Sequence, residues 1–265
     1  MIEETKFLNA PATPPKMLML PTEYRLMFEL EDHYWWYVGI RDLLNTLLEK
    51  YAPRGNQNLI LDAGCGTGAN LLELDRYGNT VGIDLSAQAI AYCRARGIAR
   101  ERAWLASAMH LPFRAAQFDL AISFDVICNV TDDARAMAEI ARALKPGAPF
   151  LVLMPAYQWL WSAHDVAVGT LRRYSRGELR ARLEHAGFAI ERMSYVNCFL
   201  FPIVLAVRMA RRSEAHNGAV TQSDLAALPR PLNALLSWIY QLEMKWLARA
   251  NLPFGASLIA VARKK

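Results

Sequence analysis

Asp62, Gly64, Gly66, Gly68 and Asp84 have the types and spacing to hold a nucleotide-like ligand. Most of them sit in one stretch, Asn58 to Gly68, which reads NLILDAGCGTG. The glycines mark a sharp backbone turn that a ligand can approach without Cβ atoms in the way. Asp84 follows the first glycine by about twenty residues, the spacing at which a carboxylate reaches ribose hydroxyls. Asp62, just before the turn, would repel a pyrophosphate and suits an amino group instead. The third glycine also comes one residue too early for the dinucleotide pattern GxGxxG. A ligand carrying an amino group is therefore favoured over a dinucleotide.

The elements that must position these groups can be read from the same region. Leu59, Ile60 and Leu61 form a continuous apolar run, as in a strand buried on both faces of a parallel sheet. Asn70 to Leu74 continues as a helix, and Thr80 to Ile83 supplies a second strand that ends at Asp84. Short alternation of strands and helices predicts an α/β fold with a doubly wound, mostly parallel sheet.

With LDAGCGTG at Leu61 to Gly68, an acidic end to the second strand, and Leu111-Pro112-Phe113 followed by Phe118-Asp119, the sequence resembles the class I S-adenosylmethionine-dependent methyltransferases. The resemblance spans Leu59 to Phe188 and implies a Rossmann-like fold, with S-adenosyl-L-methionine as cofactor and S-adenosyl-L-homocysteine as product. It implies that Asp62, Gly64 and Gly66, with Cys65 between them, line the methionine end, that Asp84 binds the ribose, and that Leu85 packs on the adenine. Relatives carry an acidic residue near the adenine amino group where this chain has Ser107, so adenine recognition would rest on that hydroxyl and on the backbone of Ala108 and Met109. Phe124 and Asp125 would stand at the sheet's carboxyl edge beside the methyl group, and Asn129 replaces a position that is often His. The last strand, Ser257 to Ala262, would be antiparallel.

Three segments are additions to this core. Pro21 to Tyr51 carries Glu31, His33, Trp35, Trp36, Tyr37 and Arg41 ahead of an apolar helix, Leu43 to Leu48, and reads as an amphipathic cover, a lid over the cofactor, or both. Pro155 to Phe188 follows a strand, Phe150 to Leu153, and begins with a loop too long and too rich in reactive side chains to be a mere connector. In it, His164 beside Asp165 has the chemistry of a general base, with His33 and Tyr174 next in line. Arg172 and Arg173 have the chemistry to bind phosphate or carboxylate, and Trp36 and Trp161 to line an acceptor. Ser175 and Glu178 form a capping box for a helix over Gly177 to His185.

The third addition, Phe199 to Phe254, holds an apolar run, Phe199 to Val207, ending in Arg208, Arg211 and Arg212. That run is too short to span a bilayer, which takes about twenty residues. After a polar linker, Ser213 to Asp224, Leu232 to Ala250 repeats apolar residues at helical spacing. Two such helices can pack together, dimerise, roof an apolar substrate or lie on a membrane surface.

Length fits one elaborated domain: 1–52 as arm and lid, 53–198 as core, 199–254 as helical cap and 255–265 as the last core strand. Pro11, Pro14 and Pro15 mark an extended lead-in. The four cysteines have no CxxC spacing and read as reduced thiols of a cytoplasmic protein; no metal is called for. Met1 to Lys16 is not of signal-peptide type. A formal charge of +5 permits an anionic partner without specifying one. A nucleic-acid acceptor would need a basic, aromatic-laced face, which is lacking. The expected acceptor is thus a small, apolar or lipid-like molecule methylated on oxygen or carbon, with a prenyl diphosphate or lipid-linked sugar as anionic-headed forms. Contact with the inner face of a membrane and dimerisation stay open. The rival readings are a non-catalytic binding protein that keeps the cofactor fold and a nicotinamide-dependent oxidoreductase.

Overall fold

The computed structural model describes residues 18–53, 55, 57–210, 225 and 228–265; the proline-rich lead-in and the linker Ser213 to Asp224 lie outside them. Two helices come first, α1 (Pro21–Leu30) and α2 (Trp35–Tyr51). The core then alternates: β1 (Asn58–Ala63), α3 (Ala69–Leu74), β2 (Gly78–Asp84), α4 (Ala87–Ala95), β3 (Ala103–Leu105), β4 (Leu120–Phe124), α5 (Asp133–Ala143) and β5 (Pro149–Pro155). A short α6 (Ala163–Ala167), α7 (Arg176–His185), β6 (Phe188–Val196), α8 (Phe201–Ala210), α9 (Arg230–Leu247) and β7 (Ser257–Lys264) complete it.

One seven-stranded sheet runs β3-β2-β1-β4-β5-β7-β6, and β7 is antiparallel to both its neighbours. Strand order reverses between β1 and β4, and ligands of open α/β sheets bind at the carboxyl ends beside such a switch point. Register brings Pro155, Ser257 and Val196 to one level, so the chain leaving β5 and β6 emerges at the same carboxyl edge as Asp62 and Asp84.

The apolar spacing of α2 buries Leu43, Leu44, Leu47 and Leu48 against the sheet, each at most 1% exposed. Its other contact is with α9. Gly39 makes that approach possible, because a Cβ there would lie 2.4 Å from Tyr240 Cδ1. Asn233 of α9 accepts the Trp35 N–H at 2.9 Å and donates to the His33 carbonyl at 2.9 Å, capping α2 from 198 residues away. Lid and cap, read as separate additions, thus share a helical layer.

The expected pair after Phe199 divides. Helix α9 is amphipathic and buries Tyr240, Glu243, Met244 and Leu247, whereas α8 has no buried residue. Glu243 ties the two together by accepting the N–H groups of Asn197, Cys198 and Phe199 at 2.5, 2.7 and 2.8 Å, just before α8 begins.

Candidate active site

The glycine turn is built on β2. The N–H groups of Gly64 and Cys65 both donate to the Ile83 carbonyl, at 2.9 and 2.8 Å. Gly66 N–H donates to Asp84 Oδ2 at 3.0 Å and Ser86 N–H to Oδ1 at 2.8 Å. Gly64 has φ +108°, and a Cβ on it would lie 2.1 Å from Val126 Cγ2, so the segment after β4 closes directly on the turn. Cys65 turns inward: its side chain packs with Leu71, Cys93, Ile98 and Ala103, leaving only its backbone for a ligand.

Asp62 is 1% exposed, and its Oδ2 has no hydrogen-bond partner among the described residues. Burial, and then the charge of Asp84, push its carboxyl up to about 8. Burial raises Asp84 as well, against the lowering effect of the Ser86 and Gly66 N–H groups.

Helix α1 lies across this turn. Met27 Sδ comes within 3.3 Å of where a Cβ of Gly66 would sit. Burial, with Asp84 second, pushes the Tyr24 phenol up to about 12. Glu31 accepts from the Thr67 hydroxyl and from Arg96, which also reaches Asp32 at 2.8 Å. Phe28 stacks on Tyr92 with centroids 4.7 Å apart, and the Arg96 guanidinium covers its ring at 5.0 Å. Glu31 was legible as one of the residues ahead of the apolar helix, but its partner Arg96 carried no sequence signal.

At the end of β4, Asp125 holds φ +56°, an uncommon backbone for a residue with a Cβ. Burial pushes its carboxyl up to about 7; Arg173 and Arg208 pull it down, while Asp165 adds to the rise. Phe124 is half-buried beside it.

Several expected acceptor residues are held by partners within the fold. Arg173, its side chain 4% exposed, donates to Asp165 at 2.8 Å and to the Ala156 carbonyl at 2.7 Å. Arg172 pairs with Asp133 at 3.3 Å and donates to the Thr131 carbonyl. The Tyr174 hydroxyl donates to Asp133 at 2.7 Å in the core, and Arg182 binds the other oxygen of that carboxylate. Trp36 packs edge-on to Tyr240 in the seam between α2 and α9. Their positions follow from buried carboxylates, Asp133 and Asp165, that a linear reading does not connect to them.

The rest are distributed around the edge. His164 is half-buried on α6, and the Asp165 carboxylate beside it is engaged by Ser162, Arg173 and Arg208. His33 is exposed in the turn between α1 and α2. Trp161 lies at a shallow surface depression with Trp159, Leu160, Arg208 and Met209. Ser107 accepts the Met109 N–H at 3.2 Å, a local turn that leaves Ala108 buried and Leu85 and Met109 half-buried. Among the described residues, no three His, Cys, Asp or Glu side chains gather to hold a metal ion.

Comparison with known proteins matches residues 61–152 to the family described as "Methyltransferase domain". A Mycolicibacterium smegmatis protein named as a probable S-adenosylmethionine-dependent methyltransferase is 29% identical over 181 residues, covering 67% of this chain and 68% of that protein. The chain belongs to the class I S-adenosylmethionine-dependent methyltransferases. A demethylmenaquinone methyltransferase of Lactiplantibacillus plantarum is 34% identical over 122 residues, 39% of this methyltransferase and 52% of that one. The crystal structure of the cyclase SpnF superposes with a TM-score of 0.54 at 25% identity, over 84% of this chain and 81% of that one.

The residues of this methyltransferase suit the cofactor. S-Adenosylmethionine carries an ammonium and a sulfonium, and the Asp62 oxygen, without a partner among the described residues and beside half-buried Asp84, is where a cation gains most.

Proposed function

We propose that the enzyme methylates a small apolar or lipid-like acceptor at oxygen or carbon. One observation carries the reading: at and beyond the carboxyl ends of β5 and β6, Tyr157, Trp159, Tyr195, Phe201 and Phe254 form a chain of ring contacts 5.3–6.3 Å apart. An aromatic wall at the methyl-transfer edge favours an apolar body. The similarity to a demethylmenaquinone methyltransferase supports the same class. Because Arg172 and Arg173 are already paired with Asp133 and Asp165, we narrow the acceptor to one without an anionic head.

When bound, the cofactor supplies an electrophilic methyl group on sulfur, open to in-line displacement. In this proposal Asp62 holds its ammonium, Asp84 its ribose, and the backbone of Gly64 and Gly66 fixes its methionine end. Leu85, Ala108 and Met109 flank its adenine, and Phe124 its methyl group. Helix α1 acts as the lid, excluding water and so strengthening these contacts. Asp125 takes the acceptor proton, with a pKa near 7 that suits a base at neutral pH. His164 is the second candidate.

The test is incubation with methyl-labelled S-adenosylmethionine and either an organic-solvent or an aqueous extract of the source cells. Label should enter an organic-soluble, uncharged product. Asp125→Asn should lower that transfer by about 100-fold while S-adenosylhomocysteine binding holds, and His164→Ala should change it only a few-fold. Label confined to aqueous metabolites, RNA or protein would overturn the acceptor class.

A further inference from the structure

Helix α8 is built inside out. Of its ten residues, Phe-Pro-Ile-Val-Leu-Ala-Val-Arg-Met-Ala, none is buried. Its one charged residue turns toward the protein: Arg208 donates to Ser162 Oγ at 2.9 Å and to Asp165 Oδ2 at 2.7 Å. The outward face is left with Ile203, Val207 and Met209, which are 54%, 41% and 57% exposed. An ordinary surface helix does the reverse, with apolar residues inward and charge to water.

The patch extends beyond the helix. Phe199 precedes it, Trp159 and Phe254 contact Phe201, and all three are more than 40% exposed. Contiguous apolar surface of this kind marks a contact site. A ten-residue helix is about 15 Å long, half the hydrocarbon thickness, so it can lie in an interface but not cross it. No described helix is long and apolar enough to span a membrane.

Charge decides between occupants. In the sequence Ala210 is followed at once by Arg211 and Arg212, within a chain of net charge +5. A two-fold contact between copies would bring like charges together, whereas anionic headgroups attract them. We propose that α8, with Trp159, Phe199 and Phe254, docks this enzyme on an anionic lipid bilayer, its axis in the membrane plane. The carboxyl edge of the sheet, latched to α8 through Arg208 and Asp165, then faces the lipid. The inference holds whatever the acceptor is.

Sedimentation with phosphatidylcholine vesicles, with and without phosphatidylglycerol, tests it without turnover. The full chain should pellet with the anionic vesicles, and its tryptophan emission should shift to the blue. Ile203→Glu with Val207→Glu, both on the exposed face, should weaken that partition by about tenfold or more. S-Adenosylhomocysteine binding by the double variant, unchanged, shows that it is folded. No pelleting by the wild type, or equal pelleting by the double variant, would overturn the proposal. So would a wild-type dimer in light scattering that the double variant converts to monomer without any vesicle binding, which would assign the face to a second copy.

Discussion

In the proposed site, buried Asp62 beside half-buried Asp84 makes cofactor binding a proton-linked event. Asp62 has its folded pKa at about 8, against about 4 for an unfolded carboxyl, so the folded protein binds the extra proton between those values. The free protein therefore loses stability as pH rises from about 4 toward 8, and Asp62→Asn should flatten that slope in thermal melts. A cationic cofactor reverses the preference and expels the proton. Titration calorimetry at pH 7 in buffers of different ionisation enthalpy should show release of up to one proton per S-adenosylmethionine, abolished by Asp62→Asn. Affinity that does not change between pH 6 and 8 would remove Asp62 from the site. Asp84 is expected to contribute more directly, since its two oxygens already organise the turn: Asp84→Ala should weaken cofactor binding by about 1.5–3 kcal/mol.

At the scale of elements, the contacts of α1 and α2 decide whether the site stays covered. Glu31 and Arg96 join α1 to α4 with side chains 6% and 10% exposed. Glu31→Ala should cost about 1–3 kcal/mol in chemical denaturation, because Thr67 and Arg96 lose a buried acceptor while Asp32 keeps part of the pairing. It should also speed S-adenosylhomocysteine release in stopped flow if α1 is the lid. Gly39→Ala tests the seam with α9. A methyl 2.4 Å from the Tyr240 ring forces the helices apart, and overpacking of this kind costs about 1–3 kcal/mol. Stability equal to wild type would mean that the seam is loose.

Across the molecule, what could be read in advance was what chemistry imposes locally. The apolar runs of β1 and β2, the glycine turn and the Asp84 spacing each depend on residues close in sequence, and the structure has them within one or two residues of expectation. The capping box of α7 is of the same kind. Roles set by tertiary partners were not legible. Tyr174 meets Asp133 from 41 residues away, and Arg173 meets an Asp165 that also holds Arg208. Periodicity alone could not separate the buried seam of α9 from the outward apolar face of α8, because both read as apolar helix.

The cap that Asn233 places on α2 also has a temporal meaning. The 198 residues between that side chain and Trp35 take roughly ten to forty seconds to synthesise, during which α2 has emerged without its cap or its seam partner. A nascent chain in that interval exposes the surface that Tyr240 later covers, a binding face for holdase chaperones and a route to aggregation when expression is fast. Slowing translation or supplying a holdase should then raise the yield of native protein, and chains truncated before Arg230, which lack β7 as well as the cap, should stay protease-sensitive.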